Sequence, residues 1–236
     1  MKALLYKEFK LAMHPICYIF IIAFPCMILI PSYPLGVGFI YLFSCYPILF
    51  LGANKGQQSN DLLYSTLLPV RKKDIVLARV FTVIIMQFIY FAMMACLLPL
   101  AFVIQNAIQV SAEAEGKLES VTVPGLGLEG FGSLIAIAMV GFAIADLIFF
   151  PIYYKHGKSI VMSTLLTMLG LITYLAIFTI IIPYIPGCEA YKTTLCDNGS
   201  GIWVQFVLLG VALILYIIIH FFVYKISAKR LEQVDF

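Results

Sequence analysis

The sequence predicts an all-α integral membrane protein with six transmembrane helices, an N-terminal interfacial amphipathic helix and both termini in the cytoplasm. Three observations predict it. Of 236 residues, 63% are hydrophobic and 11% charged, whereas a soluble domain is nearer half apolar and a quarter charged. Six stretches are apolar over roughly the 20 residues that a spanning helix needs. The Lys and Arg residues crowd into alternate loops between those stretches. Residues 1–236 read as one transmembrane domain, with no segment of soluble-domain composition.

The expected spans are 15–30, 35–53, 75–104, 131–150, 160–182 and 202–223. Pro31 and Pro34 make the first connection tight, so the first two spans form a hairpin, which Pro47 interrupts in its second arm. Pro25 and Pro99 also fall inside spans, where neighbouring helices re-satisfy the freed carbonyls. The third span is long enough to tilt or to run past the bilayer. Lys2, Lys7 and Lys10 imitate the basic start of a signal peptide. Pro31-Ser32-Tyr33-Pro34 follows instead of a small-x-small cleavage site, so this run is expected to stay as a helix.

Loops on one side (1–14, 54–79, 151–159 and 224–236) hold 13 of the 15 basic residues; the other side holds Lys117 and Lys192. Basic loops stay in the cytoplasm, which places both termini inside and requires an even number of spans. Glu113, Glu115, Glu119, Glu129, Glu189 and Asp197 fall outside, in loops 105–130 and 183–201. No basic patch carries interleaved aromatics, so no nucleic-acid partner is expected. Ahead of the first span, Leu5, Phe9, Ala12 and Met13 share a helical face, with Lys7 and Lys10 on the other side. A helix over 1–14 of that pattern lies in the headgroup layer of membrane lipid.

The first cytoplasmic loop, 54–74, carries the most information. Ser59 or Asn60 caps a helix, Asp61 suits its positive end, and Pro69 stops it two turns later. Leu63 with Leu67, and Tyr64 with Leu68, pair at i,i+4. Such an apolar loop helix either docks on a partner or packs against the membrane or the bundle. The physics of the segment alone leaves both open.

The run Leu67-Leu68-Pro69-Val70-Arg71-Lys72-Lys73-Asp74-Ile75-Val76, with Asp61 before it and Arg79 after it, resembles the cytoplasmic loop of ABC-2 type permeases, in particular their small six-helix subfamily. Phe150-Pro151-Ile152-Tyr153-Tyr154-Lys155-His156-Gly157 is similar to that subfamily's segment after the fourth span, with His156 where an aromatic is expected. The resemblance implies the transmembrane subunit of an ATP-binding cassette exporter in a bacterial plasma membrane. It also implies a separate ATPase subunit that carries ATP and Mg, and a second permease copy or paralogue. The subfamily includes exporters of amphipathic and antimicrobial peptides. The resemblance makes Asn60, Asp61, Leu62, Leu63, Tyr64, Thr66, Leu67, Leu68, Pro69, Arg71, Tyr154 and Lys155 the ATPase-coupling residues.

The chain itself is expected to hold no nucleotide and no cofactor. Gly157-Lys158-Ser159 ends like a P-loop, but Ile152 stands where the first glycine is needed. Asp146 and Arg79 are the ionisable residues nearest the membrane interior, and Asp146 is expected about one turn inside span four. Pairing of Asp146 with Arg79 or Lys155 would make a gate; the plainer alternative is a shallow acid facing water, with Arg79 snorkelling to the surface. Gln87 and Gln205 suit hydrogen bonds between helices. Cys17, Cys26, Cys45 and Cys96 read as small hydrophobes. Cys188 and Cys196, seven residues apart in the outer loop, are expected to form a disulfide. His14, His156 and His220 lack the neighbours a metalloprotease needs. A secondary transporter or channel is the competing class, but Asp146 alone is thin material for a proton relay.

Overall fold

The computed structural model describes residues 2–12, 15–26, 70–114, 128–156, 160–177 and 202–233, and these are helical apart from short flanking turns. Helix α1 (Lys2–Lys7) runs into a π-helical turn, Glu8–Ala12. The others are α2 (Pro15–Cys26), α3 (Lys72–Ala114), α4 (Leu128–His156), α5 (Ile160–Ala176) and α6 (Ile202–Glu232). Three segments are long and apolar enough to cross a membrane: Lys72–Leu97, Ile135–Lys155 and Phe206–Glu232. The apolar part of α5, Met162–Tyr174, is shorter. Spans expected at 35–53, and the coupling helix at 60–68, lie outside the described residues.

Several helices outrun their expected ends, each for a local reason. At its start α3 is closed by the Asp74 amide donating to the Arg71 carbonyl, 2.9 Å, and Asp74 sits in the favourable first turn. At its far end, residues 105–114, expected in an outer loop, continue the helix. Gln, Ala and Glu there are good helix formers and no Gly or Pro intervenes. At 43 residues, α3 is about 65 Å long, twice the hydrocarbon thickness. Helix α4 was expected to stop at Phe150, yet it passes through Pro151 to His156. The Arg230 guanidinium donates to the Pro151 carbonyl at 2.6 Å, tying this disrupted turn to α6. Helix α6 continues nine residues past its expected end, with Lys229 and Arg230 complementing the negative end of its dipole.

Helix α6 packs against both α3 and α4, and α5 closes on the other side of α4. Pairs such as Arg79 with Tyr153 and Gln87 with Asp146 show α3 and α4 antiparallel. Tyr216 with Gln87 and Lys73 with Glu232 show the same for α3 and α6. The start of α3, the ends of α4 and α6 and the N-terminal helix therefore share one end, and it is basic. Aromatic residues fill the core: Phe91 meets Phe142 edge-on at 5.3 Å, and Phe149 stacks on Tyr153 at 5.8 Å. Ile214, Ile217, Phe221 and their neighbours on α6 face outward, as do Leu165 and Leu169 on α5. Cys26 and Cys96 are exposed free thiols on apolar helices.

Candidate functional site

Two clusters of polar side chains are buried in this bundle. The deeper one joins Gln87 of α3, Asp146 of α4 and Tyr216 and His220 of α6. Gln87 lies 15 residues inside Lys72, Asp146 nine inside Lys155, and His220 twelve inside Glu232, so each stands near the middle of its apolar segment. Asp146 is completely buried and His220 is 5% exposed. The Gln87 amide donates to Asp146 Oδ2 at 2.8 Å, and the same oxygen is 2.9 Å from His220 Nε2. The Tyr216 hydroxyl donates to Gln87 Oε1. His220 Nδ1 is 2.8 Å from the Tyr216 carbonyl. One acid, one base, one amide and one phenol thus knit three helices together at their mid-depth.

The second cluster is nearer the basic end. Arg79, 3% exposed, donates from Nε and Nη2 to the two oxygens of Glu8 at 2.9 and 3.2 Å. Its Nη1 donates to the Tyr153 hydroxyl at 3.3 Å. Lys7 Nζ lies 3.7 Å from Glu8. This two-pronged grip fastens the N-terminal helix to α3 and α4. The helical N-terminus expected over 1–14 is present over the described residues, but its fully buried positions are Leu4 and Glu8. Leu5 and Phe9, expected to face the apolar side, are only partly buried. The π-helical turn and the pull of Arg79 on Glu8 decide which side faces inward.

These contacts correct the expected gate. Asp146 takes Gln87 and His220 as partners where Arg79 or Lys155 was expected. Arg79 does not snorkel to the surface; it is buried against Glu8. Asp146 does not face water: it is completely buried between the helices, about 13 Å along α4 from Lys155. Gln87 forms the inter-helix bonds expected of it; the Gln205 side chain lies outside the described set. Of the expected coupling residues, Arg71 and Lys155 are exposed, whereas Tyr154 is fully buried on Phe150, 6.3 Å between ring centres. Tyr154 therefore belongs to the core and not to a docking face of this chain. Asn60, Asp61, Leu62, Leu63, Tyr64, Thr66, Leu67, Leu68 and Pro69 lie outside the described residues, as do Cys188 and Cys196.

His220 and Tyr216 escaped notice as site residues because span six was ended at Val223, which made His220 look like a boundary residue. Their i,i+4 spacing, matched against Gln87 and Asp146 at equal depth, is the signal that would have found them. Among the described residues no group of three His, Cys, Asp or Glu side chains is placed to hold a metal ion. No family model, no curated protein and no solved structure matches the chain.

Proposed function

We propose that this chain is the transmembrane subunit of an ATP-binding cassette exporter, with six spans and both ends in a bacterial cytoplasm. A separate subunit hydrolyses ATP, a second permease copy or paralogue completes the pore, and the cargo is amphipathic, with peptides the class the resemblance favours. The observation that carries this reading is the continuity between the permease-like loop and α3. That loop enters α3 through Val70 and Arg71. Helix α3 holds Glu8 through Arg79, and Asp146 and Tyr216 through Gln87. A push on the loop is thereby delivered to the N-terminal helix and to the centre of the bundle by one rigid element. The crowding of basic residues at the loop end supports a cytoplasmic location for it.

The test is co-purification of the chain with its adjacent ATPase and a nucleotide-dependent transport assay. Leu63→Asp and Leu67→Asp are expected to abolish ATP-coupled transport while the protein stays in the membrane. Transport and ATPase association that survive both changes would refute the coupling role. A second reading, a proton-coupled secondary transporter, draws support from the Asp146–His220 contact at mid-depth. Cargo movement by the purified chain without any ATPase would decide for it.

A further inference from the structure

We propose that Asp146 and His220 form a proton-binding site at the centre of the bundle. The argument begins with the ring of His220. Nδ1 faces the Tyr216 carbonyl oxygen at 2.8 Å. A carbonyl only accepts, so Nδ1 carries a hydrogen. The remaining nitrogen, Nε2, lies 2.9 Å from Asp146 Oδ2. A contact of that length between these two atoms needs one hydrogen between them. Either the imidazole is doubly protonated beside a carboxylate, or a neutral imidazole accepts from a carboxylic acid.

In both forms the pair stores one exchangeable proton and is neutral overall, which suits a site that lipid-spanning helices enclose. Loading transfers a proton from hydronium to the empty pair and leaves water; the new bond is to Nε2 or Oδ2, and no electron is exchanged. An emptied pair sets two lone pairs against each other and leaves the carboxylate charge uncompensated. That state pushes α4 and α6 apart at this level and gives helix movement a proton-linked step.

Helix α3 presents the Gln87 amide and Tyr90, and its Arg79, about 12 Å along the helix, is bonded to Glu8. Helix α6 adds Tyr216, whose hydroxyl donates to Gln87. Helices α2 and α5 contain no Asp, Glu, Lys, Arg or His; Tyr18 of α2 donates to the Phe9 carbonyl, and Tyr174 of α5 donates to the Ile137 carbonyl.

The site does not depend on the exporter reading, so its test uses the full chain alone, in phospholipid nanodiscs without ATPase. Infrared difference spectra with 13C-labelled aspartate follow the carboxylic-acid and carboxylate stretches, so that either form of the loaded pair is seen, between about pH 4 and pH 10, a range that spans the ordinary Asp and His titrations. The expected result is a titrating band that Asp146→Asn removes. His220→Gln, which preserves a hydrogen bond but holds no proton, should move its midpoint by at least about one pH unit. A band that does not titrate, or a midpoint indifferent to His220→Gln, would overturn the site. Should Asp146→Asn fail to assemble, the label and the His220→Gln comparison still decide.

Discussion

The clamp at Arg79 and the knot at Asp146 are both buried and both tie three elements, yet they balance charge differently. Arg79 is charged at any accessible pH. Its fork covers both oxygens of Glu8, seven residues inside the start of α3. The knot lies twice as far in and is built from groups that are able to trade a proton or are neutral. Near the end of its helix, Arg79 is retained because the contact with Glu8 is two-pronged. At mid-depth the arrangement is one whose net charge is zero whichever of Asp146 and His220 holds the shared proton. Depth therefore selects the kind of polar contact a helix bundle retains.

The largest effect is expected at the clamp. Arg79→Ala strands Glu8 in the core and should destabilise by about 3–5 kcal/mol, the usual result of halving a buried ion pair. Thermal unfolding in detergent followed by circular dichroism checks this, and Arg79→Lys should fall between the alanine variant and wild type. Asp146→Ala should cost less, about 2–3 kcal/mol, because His220 escapes burial of a charge by giving up a proton. A larger loss for Asp146→Ala than for Arg79→Ala would break the comparison. Gln87→Leu removes one bond to α4 and one to α6, and a loss of about 1–2 kcal/mol in the same melts is expected. Gly210→Ala on α6 calibrates the scale. A Cβ there meets nothing within 4 Å, so a gain of up to about 1 kcal/mol from helix propensity is expected.

Much of the helical frame was legible in the residues. Lys72–Leu97, Ile135–Lys155 and Phe206–Glu232 fall on apolar runs long enough to cross a membrane. Their ends were not legible. Pro151 reads as a stop because it removes an amide and crowds the preceding turn. That cost is borne here by the packing of Phe149, Phe150, Tyr153 and Tyr154 and by the Arg230 contact. With span four ended at Phe150 and span six at Val223, Asp146 and His220 stood near a boundary; the helices continue past both points, and the two side chains meet inside the bundle. Gln87 was read correctly because an amide within an apolar run has few uses other than a bond to another helix.

By itself the sequence determined that this chain is helical and lipid-embedded, since hydrophobic excess and the spacing of charges are properties of composition and order. It also nominated Arg79, Asp146 and Gln87 as polar residues of consequence. Only the tertiary structure decided their partners. Which carboxylate Arg79 grips, and which base meets Asp146, depend on how helices 70 residues or more apart in sequence are aligned in depth and rotated about their axes. Those two quantities come from packing summed over many side chains, and no single motif encodes them.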